Sequence, residues 1–326
     1  MKSFLKYIFL LALFVLLLGI PLFIGQGKYG IGVLLKPGPS LAREIVFNIR
    51  LPRIIFALLV GASLSLVGAA FQVLLRNELA TPYTLGISSG GALGAVIAIK
   101  TGLDITVLGF STSVLFSIVG SVLTIGLIFF IARERYEISA FTLLLAGVTI
   151  GLFFSAMILF IHYLADFTET YRMIRWLMGA LDVVGWRYPV TVLFVFVPVF
   201  VYLLLNAPAF NLLLSGSELA RARGVEVRRL QKWTFLLSSV LVGTCVAMAG
   251  PIGFVGLIIP HVVRLLIGPD HRRLFPVSVL SGGLFLVWAD TIARTVIAPA
   301  ELPVGIITSL IGGPFFIYLL VRDKRK

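Results

Sequence analysis

The chain has 326 residues, 59% of them hydrophobic and only 13% charged, with a mean hydropathy of +1.08. Soluble domains carry about 25% charged residues, and a fold of this length cannot hide so much apolar surface from water, so a water-soluble globular protein is excluded and lipid is the solvent. The formal net charge of +13 is spread over loops and ends without a long basic block, which points to orientation in a bilayer and away from nucleic acid.

About 20 apolar residues cross the hydrocarbon of a membrane. Along the chain, spans are predicted near 5–25, 52–75, 84–102, 112–132, 141–164, 189–207, 234–250, 253–268, 275–297 and 303–321, ten in all. The first has the charge pattern of a signal peptide, with Lys2 and Lys6 before FLLALFVLLLGI. Its apolar run from Tyr7 to Gly25 is long enough to span and no A-x-A-like site follows, so a retained helix is expected. In the third span, Gly86, Gly90 and Gly94 recur at four-residue spacing with Ser88, Ser89, Gly91 and Ala92, a face almost without side chains that lets helices approach closely. Gly61, Gly68, Gly282, Gly283, Gly312 and Gly313 offer similar faces. Ten spans place both termini on one side. That side collects the larger share of Lys and Arg, so both termini are predicted to be cytoplasmic.

The longest inner loop, about 208–233, contains SGSELARARGVEVRRLQKW. Ser217 is placed to cap a short helix with Glu218 in its first turn and basic residues later, Gly224 to end it, and a second short helix to follow. The alternative is a solvated basic loop. Chemistry-bearing motifs are lacking: there is no phosphate-binding G-x-x-x-x-G-K-[ST] loop, no nucleophile elbow and no zinc-protease helix. His162, His261 and His271 are scattered without ligand-spaced partners, and the single Cys245 sits in an apolar run as a small core residue. Charges inside the span boundaries say more, because each costs about 2.5–3.5 kcal/mol at mid-helix. Asp290 and Arg294 stand four apart and can pair across a turn; the other possibility is that Asp290 is a proton site in an ion-coupled carrier, with Glu301 a second candidate.

Several ordered motifs cover nearly the whole chain: RLPR at 50–53, GAAFQVLLRNELATPYTLGISSGGALGA at 68–95, LLLAGVTIG at 143–151, RWLMGAL at 175–181, SELARARGV at 217–225, GPIGFVGLIIPHVVRLLIGPDHRRL at 250–274 and ADTIARTVIAPAELPVGIITSLIGGPFFIYLL at 289–320. In these the chain resembles the permease subunit of type II ABC importers, in the group that carries ferric siderophores, haem and cobalamin. The resemblance implies an all-α polytopic membrane protein, one transmembrane domain over 1–326 in a cell membrane. It also implies a homodimer, two separate ATP-binding subunits inside that hold the ATP and Mg²⁺, and a substrate-binding protein outside. The chain itself would be no enzyme and would hold no cofactor or metal.

By the same resemblance, Ser217, Glu218, Arg221, Arg223 and Gly224 couple to the ATPase, and Arg50, Arg53 and Arg294 meet acidic residues of the binding protein. The cytoplasmic gate falls at Asn77, Glu78, Leu79, Ala80 and Thr81 and at Ser139, Ala140, Phe141 and Thr142, where Ala140 and Phe141 depart from the small hydroxyl residues usual there. The pathway is expected between the fifth and tenth spans, at Thr149, Ser155, Met157, Thr308 and Ser309. Pro260, His261 and Arg264, which interrupt an apolar stretch, are expected to be architectural: a bend, a polar face, and an arginine reaching toward the headgroups.

Overall fold

The computed structural model describes residues 16–24, 41–103, 105–131 and 140–323. Most of the first predicted span and Ser139 of the gate lie outside the described residues. Residues 16–23 form α1. Helix α2 (Leu41–Ile45) runs through a π-helical turn (Val46–Arg50) into α3 (Leu51–Leu74). Pro52 explains that turn. It has no N–H for the carbonyl of Asn48 one helical turn back, and Asn48 instead accepts the N–H of Gly185 at 2.7 Å.

The remaining helices are α4 (Ile87–Thr101), α5 (Thr112–Ile131), α6 (Ala140–Tyr163), α7 (Phe167–Leu177), α8 (Arg187–Leu205), α9 (Ala207–Leu214), α10 (Ser217–Ala222), α11 (Val227–Ala249), α12 (Val255–Ile267), α13 (His271–Thr295) and α14 (Val304–Asp323). Six of the described helical stretches are long and apolar enough to cross a membrane, and α4, α12 and α14 are shorter apolar helices. Helix α3 is the axis of the bundle: the most apolar window of its stretch is 89% buried, against 22% in α6. Helix α6 therefore turns most of its surface outward, to lipid or to another chain.

Glycines set the closest helix approaches. A side chain on Gly61 would strike the carbonyl of Gly282 in α13, and one on Gly68 the carbonyl of Gly256 in α12. Gly90 and Gly94 likewise admit α5, at Gly120 and Phe116. Close packing of this kind drives association where lipid removes any hydrophobic incentive. Gly313, expected on such a face, has open space beside it.

Four expectations change. Helix α11 starts at Val227, seven residues before the predicted span, so the second short helix of the inner loop is the first two turns of a long one. Ser217 is the first residue of α10 and makes no cap; Gly216 precedes it with φ +120°. Helix α12 has 13 residues, about 20 Å at 1.5 Å per residue, too short to cross about 30 Å of hydrocarbon. It begins beside Leu64 and Gly68, midway along α3, and ends at the same end of the bundle as α3. Finally, α7 went unpredicted, although the spacing Asp166–Glu169 forms a complete capping box. Lys100 of α4 holds α7 through Glu169 at 2.7 Å.

Candidate functional site

At the N-terminal end of α3, Arg53 grips Asp290 of α13 through Nη2 (2.9 Å) and Nε (3.1 Å), and its Nη1 lies 2.7 Å from Glu301 and 3.6 Å from Asp182. Asp290 also stands 3.1 Å from Nε of Arg294, an ion pair across one helical turn whose angle is too poor for a hydrogen bond. The acid is buried between two guanidinium groups, with side-chain exposure of 2%, 11% and 7% for Asp290, Arg53 and Arg294. Arg50 is buried as well and donates to the carbonyl of Leu22 at 3.1 Å. The three arginines expected to face a binding protein are therefore turned inward. Two of them neutralise a carboxylate that could not stay charged alone at this depth, and the exposed groups of the cluster are the acids Asp182 and Glu301.

At the C-terminal end of α3 lies the turn Asn77–Ala80, part of the expected gate. Asn77 accepts the N–H of Leu79 at 2.8 Å, Leu79 and Glu78 are exposed, and Ala80 is buried. Glu78 reaches back to α12, with carboxylate oxygens 3.4 Å from Nδ1 of His261 and 3.7 Å from Nη1 of Arg264. Arg264 does not extend to the headgroups as expected. It donates to Oε1 of Gln72 at 2.8 Å, while Nε2 of Gln72 lies 3.2 Å from the carbonyl of Leu257 and 3.5 Å from that of Gly256. Pro260 is the reason. It leaves the Gly256 carbonyl without a helical donor, and Gln72, buried in α3, turns toward it. The proline, the histidine and the arginine thus tie α12 to α3 and to the gate turn. In the second part of the gate, Phe141 is exposed, and α6 meets the turn region higher up, where Gly147 touches Leu85 and Gly86.

A cavity of about 620 Å³ opens between these elements. Its walls come from the turn after α3 (Thr81, Tyr83), the end of α7 (Met178), the loop 250–254 (Phe254) and the faces of α12 and α14 (Leu257, Ser309). No charged side chain is among its lining residues. The loop is non-helical backbone within the bundle, a conformation that persists at membrane depth only where protein covers it or it borders a cavity. The flanking helices satisfy part of it: Gly250 N–H donates to the Val246 carbonyl at 2.8 Å, and Val255 N–H to that of Gly253 at 2.9 Å. Of the five pathway candidates, Ser309 lines the cavity. Thr308 is buried and donates to Gly305 at 3.1 Å, and Ser155 donates to Gly151 at 2.9 Å on the outward surface that also carries Thr149 and Met157. The fifth-span candidates miss the cavity because α12, not α6, forms its flank.

On the same end as the gate turn, α9 is moored to α13. Asn211 donates to Asp270 at 2.6 Å and accepts the N–H of His271 at 2.8 Å, and Phe210 packs edge-on to Phe275. The hydrogen bond from Asn211 and the N–H of Arg272 hold the Asp270 carboxyl below its ordinary range. Helix α10 follows and closes in a full Schellman motif, with Gly224 N–H to Arg221 at 2.8 Å, Val225 N–H to Ala220 at 3.0 Å and Gly224 at φ +85°. Ala220 is buried, while Glu218, Arg221, Arg223 and Gly224 point outward. A short helix, closed at its C-terminus and anchored by its one buried face, thus leaves its charged side chains exposed.

A bundle with a buried ion cluster at one end, a tethered turn and an exposed capped helix at the other, and an uncharged cavity between them defines a membrane permease. The comparisons give its kind: the FecCD transport family matches residues 10–322, and the chain belongs to that family. It is 42% identical over 297 residues to the uncharacterized ABC transporter permease protein YvrB of Bacillus subtilis, covering 91% of this chain and 84% of that protein. It is 40% identical to the hemin transport system permease protein HmuU of Yersinia pestis (87% and 85% covered) and 43% identical to the cobalamin import system permease protein BtuC of Halobacterium salinarum (88% and 75%). Among solved structures, an inward-facing metal-chelate type ABC transporter superposes with a TM-score of 0.83 at 33% identity, over 96% of this chain and 99% of that one. The protein is thus a multi-pass ABC importer permease. Tyr83, Met178 and Phe254 of the cavity escaped the sequence reading, whose only hint was the glycine-rich GPIGF before α12.

Proposed function

We propose that this permease moves an iron chelate, a ferric siderophore in the first instance with haem and cobalamin as the alternatives, into the cell. It works as a homodimer with two ATP-binding subunits on the face carrying α10 and a substrate-binding protein at the Arg53 end. Both termini are then cytoplasmic. ATP and Mg²⁺ belong to the ATPase subunits, and this chain supplies a switch between two rigid-body arrangements with no chemistry of its own. The observation that carries the reading is the face of α10: Glu218, Arg221 and Arg223 are exposed on a helix closed by a Schellman motif at its C-terminus. The chelate class rests on relatives whose names specify hemin, cobalamin and iron(3+)-hydroxamate. A binding protein offering acidic residues at the far end has to compete with Glu301 and Asp182 for Arg53, so docking there exchanges ion pairs instead of adding new ones.

The test is a pull-down of tagged protein from gently solubilised membranes of its native host, comparing wild type with Glu218→Arg. A P-loop ATPase recovered with the wild type and lost with the variant is the expected result. Recovery of the ATPase with the variant overturns α10 as the docking element, and recovery of none with the wild type, under conditions that preserve a control ABC complex, overturns the proposed assembly.

A further inference from the structure

Phe254 stands out twice. Its backbone has φ +67° and ψ −29°, a left-handed conformation that non-glycine residues rarely adopt and that costs on the order of 1–3 kcal/mol. Its ring occupies a notch in α14 that exists because residue 312 is glycine, since a side chain there would run into the ring. The strained backbone serves to hold this half-buried ring on the wall of the cavity, which a second aromatic, the exposed Tyr83, also lines. The hydroxyl of Thr81 accepts the N–H of Thr84, and that of Thr84 donates to the Thr81 carbonyl. The side-chain hydroxyls left to a ligand are then those of Tyr83 and Ser309.

We infer that the cavity is a contact site for a chelate of zero or low net charge with an apolar surface, and that Phe254 is its specificity-determining residue. The inference rests on the importer reading above and deepens it. A ferric tris-hydroxamate is neutral and a ferric tris-catecholate carries three negative charges. A wall without cations gives the trianion nothing to replace its hydration, whereas aromatic and aliphatic walls suit a neutral complex. Phe254 sets the width of the site, because its ring is seated in the Gly312 notch.

The experiment uses Ser309→Cys protein in nanodiscs. The native thiol, Cys245, is buried, so an uncharged maleimide reads residue 309. A neutral ferric tris-hydroxamate is expected to slow labelling, and a ferric tris-catecholate at the same concentration to leave it unchanged. Phe254→Gly, which relieves the backbone while removing the ring, should raise the half-protecting concentration about five-fold, the size of one lost aromatic contact. Gly312→Ala, which displaces the ring from its notch, should do the same. Unliganded labelling rates matching the parent show that each variant is folded. Equal protection by both chelates overturns the charge selection, protection unaltered in Phe254→Gly overturns the role of Phe254, and no protection by either overturns the site. ATP-dependent uptake by the intact transporter, measured in parallel, separates any of these failures from failure of the importer reading.

Discussion

Replacing Asp290 by Asn tests the ion cluster that joins α3 to α13. Removing one partner of a buried pair costs about 3–5 kcal/mol, because a charge is left without compensation. Here the loss falls unevenly. Arg53 keeps Glu301 at 2.7 Å and Asp182 at 3.6 Å, while Arg294 keeps the hydroxyl of Thr291 at 3.4 Å. The low end, about 3 kcal/mol, is therefore expected, and in a chain of this size it lowers the apparent melting temperature by roughly 4 °C. Glu301→Gln removes an acid whose side chain is 38% exposed and should cost about 0–1 kcal/mol. Thermal unfolding in nanodiscs, followed by circular dichroism, measures both. Adding Arg294→Gln to Asp290→Asn should recover part of the loss, since no unpaired charge remains. The reasoning is refuted if Asp290→Asn melts with Glu301→Gln, or if the double variant is as unstable as the sum of its parts.

Gly68→Ala forces a methyl group into the carbonyl of Gly256, an overpacking that should cost about 1–3 kcal/mol and separate α3 from α12 in the same thermal assay. In Gln72→Leu, Arg264 loses its acceptor and the Gly256 carbonyl its nearest side-chain donor; a loss of about 1–3 kcal/mol is expected, with faster hydrogen exchange over residues 255–267. Lys100 and the N–H of Asp166 hold the Glu169 carboxyl below its ordinary value. A depressed carboxyl contributes its stabilisation above the unfolded pKa and loses it as pH falls through the folded one. The tether of α7 to α4 should accordingly be intact at neutral pH and loosen only in acid below about pH 4, visible as faster exchange over 166–177. Loosening near neutrality would contradict it.

The spans were legible because burial in lipid acts on each residue separately: a run of about 20 apolar side chains reads as a crossing whatever lies beside it. The glycine faces at Gly61, Gly68 and Gly90 were legible for a related reason, since only a missing side chain permits backbone contact. The ends of α10 were half legible. Gly224 announces the stop, but the start is read one residue late, with the cap at Ser217 in place of Gly216, because capping depends on backbone angles that the residue type only biases.

Partnership across the bundle was beyond local reading. Asp290 and Arg294 share a helix and could be paired by spacing, yet the stronger partner, Arg53, stands 237 residues away in sequence and is brought in by the packing of α3 on α13. Glu78 with His261, Gln72 with the carbonyl freed by Pro260, and Phe254 in the notch at Gly312 have the same character. Hydropathy and motif spacing determined which segments enter the membrane and which family they form. Only the tertiary structure decided which charges cancel and which side chains face the cavity, because those choices depend on how helices distant in sequence rotate and slide until their small residues meet.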